Sequence, residues 1–223
     1  MCGMTNTLAS ARLEAVLDRL FAATAAQEDD QMPAPPPGLA SWADASAAEL
    51  ADALQDAYIP ISAEAGKLLY AVIRASRPRT VVEFGTSFGI STVYLAAAVT
   101  DNGTGHVVTT ELSGKKVAAA GANLREAGVG AAVTILEGDA LQTLADVPAP
   151  VGVVLLDGWK DLCLPVLRLL EPKLAPGALV AADDTNGPAM GDYLAYIRHP
   201  ANGYVTVAFP VEDGMEISCW TGR

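Results

Sequence analysis

The chain has 223 residues, enough for one well-cored α/β domain with an appendage, and 51% of them are hydrophobic, as in a compact soluble protein. Its formal net charge of −12 would repel a phosphate backbone, which sets nucleic acid aside as an expected partner and favours small molecules. No apolar run is long enough to cross a bilayer, no basic stretch precedes an apolar core at the start, and Cys2, Cys163 and Cys219 form an odd, widely spaced set without metal-like pairing, so the expected setting is the cytoplasm, away from membranes.

From Ser10 to about Ala26, Leu13, Val16, Leu17, Leu20 and Phe21 recur at helical spacing, which predicts an amphipathic helix whose apolar face needs a partner. Residues 28–38, with Pro33, Pro35, Pro36 and Pro37, cannot continue a helix and read as an exposed linker. A second helix is expected over Ser46 to Asp56, with Ser46 and Glu49 at capping-box spacing, and Ser62 is the expected N-cap of a third running to about Ser76. Thr80 to Phe84 then reads as a buried strand, Gly85 to Gly89 as a tight turn, and a helix begins near Ile90. Unpaired backbone N–H groups at such a helix start can face a polar ligand, although the same glycines also suit an ordinary strand-to-helix turn. The dinucleotide fingerprint Gly-x-Gly-x-x-Gly fails here, because Glu83 stands two residues before Gly85.

Glu83-Phe84-Gly85-Thr86, with Gly89-Ile90-Ser91 following, resembles motif I of class I S-adenosylmethionine-dependent methyltransferases. The nearer resemblance is to the catechol O-methyltransferase family and its bacterial relatives, with motifs in that family's order from about Tyr58 to Trp220. It implies a methyltransferase domain over residues 58–223 and an N-terminal helical extension over residues 1–57. That extension would help form a subunit interface and a lid. The resemblance also implies that the segment from Tyr58 to Lys67 borders the methyl donor through Ile61, although Ala65 stands where family members often carry Gln.

Farther along, a helix over Ser91 to Val99 leads to a second buried strand, His106 to Glu111. An acid at the carboxyl end of that strand can accept hydrogen bonds from both ribose hydroxyls of a nucleoside. A helix over Lys115 to Ala127 and a third strand over Ala132 to Glu137 close on Gly138-Asp139-Ala140, which in the family lies beside the adenine. Asp139 equally suits the N-cap of Leu141 to Leu144. The fourth strand, Val151 to Leu156, is apolar throughout, as a central parallel strand should be, and delivers Asp157-Gly158-Trp159-Lys160. This resembles the family's Asp-x-x-Lys, in which the Asp binds metal and the Lys takes the substrate proton. A fifth strand over Ala178 to Ala182 ends at Asp183 and Asp184, where relatives carry Asp-Asn. Adjacent carboxylates repel unless a cation or donors sit between them, and with Asp157 they offer three oxygen ligands suited to Mg²⁺. A helix around Met190 to Ile197 and a terminal β-hairpin, Gly203 to Phe209 with Met215 to Trp220, complete the chain.

Alternating strands and helices predict a doubly wound α/β fold. By resemblance it is a Rossmann-like, seven-stranded, mostly parallel sheet of order 3-2-1-4-5-7-6 with strand 7 antiparallel. Cofactor contacts are implied at Ile61, Glu83, Gly85, Thr86, Ser91, Glu111, Asp139, Ala140 and Asp157, metal ligation at Asp157, Asp183 and Asp184, and proton transfer at Lys160. The function expected is methyl transfer from S-adenosylmethionine to a hydroxyl of a small phenolic or catechol-like acceptor, assisted by Mg²⁺, in a homodimer. Competing readings are a metal-independent methyltransferase of the same fold, a non-catalytic nucleoside-binding module, and a nicotinamide-dependent oxidoreductase. The last lacks a Tyr-x-x-x-Lys pair, since Tyr193 and Tyr196 are followed at that spacing by Ile197 and Pro200.

Overall fold

The computed structural model describes residues 6–28, 45–211 and 213–222, with Glu28 by its backbone alone. The proline-rich stretch read as a linker falls outside these residues from position 29 onward, as does Cys2. Cys163 and Cys219 are both unpaired thiols. No helix among the described residues is long and apolar enough to cross a membrane.

Three helices precede the sheet: α1 (Ala11–Glu28), α2 (Ala47–Ala53) and α3 (Ala63–Ser76). Strands and helices then alternate as β1 (Thr80–Phe84), α4 (Ile90–Asn102), β2 (His106–Glu111), α5 (Gly114–Ala127), β3 (Val133–Glu137), α6 (Ala140–Thr143) and β4 (Val151–Leu156). The chain continues through α7 (Cys163–Leu170), β5 (Leu174–Ala182), α8 (Gly191–Ile197), β6 (Tyr204–Phe209) and β7 (Met215–Trp220). The seven strands form one sheet in the order β3-β2-β1-β4-β5-β7-β6, with β7 antiparallel to both of its neighbours, as expected. Two expected caps are present: Ser46 and Glu49 close a capping box at α2, and the Ser62 side chain accepts from the Ala65 N–H at α3.

Leu13, Val16, Leu17 and Leu20 of α1 are buried in the same core as α3, α4 and β1. The apolar face that seemed to ask for a second subunit is therefore covered by the chain itself, with Arg19 clamping the exterior to Glu126 and Asn123 of α5. The opposite sheet face packs α7 and α8, through Val166, Leu167, Leu170, Tyr193 and Ile197. Helix α7 is an addition to the expected elements, although Leu162 at its N-cap and Val166, Leu167 and Leu170 carry helical spacing. Pro165 lies in its first turn, where the missing N–H breaks no helical bond. β5 begins earlier than expected, at Leu174, and its register against β4 shifts between Val151 and Val153.

Candidate active site

The turn after β1 is shaped by a close approach. Gly85 has φ +103°, and a Cβ there would stand 2.6 Å from the backbone oxygen of Asp157, so the end of β4 passes directly against it. The N–H groups of Gly85 and Thr86 both donate to the Thr110 carbonyl, at 3.2 and 3.1 Å, which ties the turn to β2. Ser87 and Asp184 are non-glycine residues with left-handed backbone, φ 47° and 54°. Both sit in loops at the same sheet edge, where such strain is characteristic of functional turns.

Glu83 does not reach that edge. Its side chain is fully buried beneath the turn, with Oε2 accepting from Thr92 Oγ1 at 2.6 Å. Oε1 has no hydrogen-bond partner among the described residues, although the Ser91 and Thr109 hydroxyls lie near enough to ease the charge. Burial raises its pKa above the ordinary 4.5. Expected among the cofactor contacts, Glu83 is instead a fully buried acid that lines neither cavity at this edge. The Thr86 hydroxyl pairs with Thr109 at 2.5 Å. Ile61 is also a core residue by its side chain, leaving only its backbone for a ligand, while Ile59 faces the cavity instead.

A cavity of about 540 Å³ opens beyond the carboxyl ends of the strands. Gly85, Glu111, Asp139, Ala140 and Asp157, five of the expected contacts, line it together with Lys160 and Asp184. Glu111 accepts from the Ser87 N–H at 2.8 Å and the Ser113 N–H at 2.9 Å, which fixes its carboxylate at the rim. Asp139 caps α6 by accepting from the Leu141 N–H at 2.9 Å, as one of its two readings expects, and it also lines the cavity. Ser91 and Thr86 instead line a smaller adjoining cavity of about 20 Å³, shared with Pro60 and Asp157.

At the other end, one carboxylate oxygen from each of Asp157, Asp183 and Asp184 lies within 4.8 Å of the others. Lys160 Nζ stands 3.3 Å from Asp157 Oδ1 and 3.0 Å from Asp184 Oδ2. Burial pushes the Asp157 carboxyl up, against the pull of Lys160. For Lys160, burial favours the neutral amine, but Asp157 and Asp184 outweigh it and hold the group above its ordinary value. The loop bearing Asp184 leans on the terminal hairpin, since the Thr185 and Asn186 N–H groups donate to the Gly214 and Asp213 carbonyls, each at 3.0 Å.

One wall of the cavity comes from outside the strand edge. Ser46, the N-cap of α2, and Ala47, Ala48 and Ala51 of α2 line it, within the extension expected to help form a lid, although none of these residues was expected by name as part of the site. The segment after α2 is fastened by Gln27, whose side-chain amide accepts from the Tyr58 N–H at 2.6 Å and donates to its carbonyl at 3.1 Å. The Tyr58 ring stacks on Phe88 of the glycine turn, with centroids 4.2 Å apart. Lys116 also lines the cavity and was likewise missed.

Known proteins resemble this chain in sequence and fold. Residues 82–185 match a family described as a methyltransferase domain. Catechol O-methyltransferase B of Danio rerio is 30% identical over 173 residues, covering 71% of this chain and 64% of its own length. Catechol O-methyltransferase of Mycobacterium tuberculosis is 33% identical over 141 residues, 63% of each chain. This chain thus spans a little under two thirds of the length of those relatives. Among solved structures, cofactor-bound Rv0187 from MTB superposes with a TM-score of 0.69 at 27% identity, over 86% of this chain and 100% of that one. The family resemblance drawn from the sequence, to class I S-adenosylmethionine-dependent O-methyltransferases, is borne out.

Proposed function

We propose that this protein transfers the S-methyl group of S-adenosylmethionine to a hydroxyl of a small phenolic or catechol-like acceptor, with a divalent metal, Mg²⁺ by its ligand chemistry, at Asp157, Asp183 and Asp184. The observation that carries this reading is one cavity bounded by the glycine turn, the ribose-suited Glu111 and the carboxylate group beside Lys160. The names of the relatives support a catechol-like acceptor.

The residues present fit both groups. The donor brings an ammonium and a sulfonium, and the unpaired buried oxygen of Glu83, with Glu111 and Asp157, supplies the opposing field. Three carboxylates within 4.8 Å of one another suit a hard cation with oxygen ligands. When bound, such a metal supplies a Lewis acid that favours the ionised acceptor hydroxyl.

The remaining chemistry belongs to the chain. The acceptor oxygen attacks the methyl carbon, the carbon–sulfur bond breaks, and its electron pair leaves with S-adenosylhomocysteine. Gly85 lets the turn lie against β4, so that donor and acceptor share one cavity and the reaction draws on their proximity. The hydroxyl proton passes to Lys160 only when that amine is neutral, after it has given its own proton to solvent. Helix α2 and Ile59 cover the cavity and limit the water around the sulfonium.

One observation favours a second reading. The Lys160 ammonium already bridges Asp157 and Asp184, so part of the acids' charge is balanced without a metal, as a metal-independent methyltransferase would need. A single experiment separates the readings: thermal stabilisation by S-adenosylhomocysteine and by NAD, followed by methyl transfer to catechol with and without chelator. S-adenosylhomocysteine at a hundred times its dissociation constant should add roughly 2.7 kcal/mol of stability. NAD should add nothing, and chelator should abolish turnover without loss of S-adenosylhomocysteine binding. Full activity in chelator selects the metal-independent reading, while stabilisation by NAD alone rejects both.

A further inference from the structure

One cation in the cavity wall has no part in that chemistry. Lys116, in the first turn of α5, is 6% exposed and lines the same cavity as Glu111. Its neighbour Lys115 is a half-exposed surface residue paired with Asp56, whereas Lys116 makes no hydrogen bond or ion pair through its ammonium among the described residues. What faces that ammonium is the Phe88 ring, 5.5 Å away at its centroid. Burial pulls its pKa down, and the charges of Glu111 and Asp56 oppose that pull from a distance.

A buried ammonium without an acceptor is costly, so its position needs a reason. Its backbone is set by the cap of α5: the Lys116 N–H donates to Ser113 Oγ at 3.4 Å, and the Ser113 N–H donates to Glu111 at 2.9 Å. Glu111 and Lys116 are thus delivered to one end of the cavity by one cap. The carboxylate can only accept and the ammonium can only donate. A vicinal diol complements the pair, because each hydroxyl offers one proton to an acid and lone pairs to a donor.

We propose that Lys116 donates a hydrogen bond to a ribose hydroxyl oxygen of the bound methyl donor while Glu111 accepts from the diol, which makes Lys116 a specificity-determining residue for the sugar. The proposal rests on the reading that this cavity takes S-adenosylmethionine.

The test is calorimetric binding of S-adenosylhomocysteine and of its 2′-deoxy and 3′-deoxy analogues to the wild type, Lys116→Met and Lys116→Arg. Lys116→Met should weaken S-adenosylhomocysteine about ten- to a hundredfold, the usual worth of a hydrogen bond to a charged group. One deoxy analogue should bind Lys116→Met as well as it binds the wild type, since the contact is already gone, and Lys116→Arg should retain most of the affinity. Equal weakening of all three ligands would make Lys116 part of the wall only and overturn the proposal, as would unchanged S-adenosylhomocysteine binding in Lys116→Met. A wild type that binds all three alike overturns it without any variant, should Lys116→Met fail to fold. A wild type that binds none removes the methyl-donor reading itself, whereas binding of S-adenosylhomocysteine that ignores Lys116 removes this inference alone.

Discussion

Lys160 is held as an ammonium by the two acids it stands between, and this sets how it can act on a proton. Methyl transfer should therefore rise from neutral to alkaline pH as the amine is released. Lys160→Ala should lower turnover at neutral pH by roughly 10²–10⁴ and recover in part at high pH, where the acceptor ionises unaided. Turnover number against pH for both proteins checks this; an active Lys160→Ala with an unshifted profile would remove Lys160 from proton transfer. Glu83 makes the opposite kind of statement, about stability. Its folded pKa lies above the ordinary 4.5, so above that value the folded state holds more protons than the unfolded one, and stability falls as pH rises. Glu83→Gln should flatten that fall, read as the denaturation midpoint in acid and at neutral pH without metal or ligand. An unchanged slope would mean that Glu83 ionises freely where it lies.

At the scale of elements, the contact between the first turn and the end of β4 joins the two ends of the cavity. Gly85→Ala puts a Cβ 2.6 Å from the Asp157 backbone in a left-handed residue. The backbone conformation alone costs about 1–2 kcal/mol, so the loss of stability should exceed that, with S-adenosylhomocysteine stabilisation lost as well. A Gly85→Ala protein that melts and binds like the wild type would show the approach to be looser than drawn. This edge was legible in the sequence because buried parallel strands are apolar runs, and Glu111, Asp157 and Asp183 stand out where those runs stop. The depth of Glu83 was not, since an acid inside a strand and one at its end look alike when a glycine follows. Nor could the pair Lys115-Lys116 be parted by reading: both are helix-start lysines, and it is the packing of the folded chain that buries the second, with its ammonium over the Phe88 ring. Ala47, Ala48 and Ala51 carry no chemistry of their own and became site residues only by lying across the cavity.

For the whole molecule, the arrangement of α1 decides where its apolar residues contribute. Leu20 is 1% exposed inside the chain's own core, so Leu20→Ala should cost about 2–5 kcal/mol, with a melting temperature that does not depend on protein concentration. A melting temperature that rises with concentration would place this face at an interface between subunits instead. The clasp of Gln27 on Tyr58 joins residues 31 apart in sequence, immediately before the segment that borders the cavity. Holding two points that far apart in sequence is a closure whose entropic cost grows slowly, by about 0.6 kcal/mol for each doubling of the length between them. Changes in chain length between Gln27 and Tyr58 should therefore cost little stability, while α2, which lies between them in sequence, walls the cavity. Under the proposed function, substitutions on α2 would change which acceptor the cavity admits and leave the strand ends on its other side unaltered.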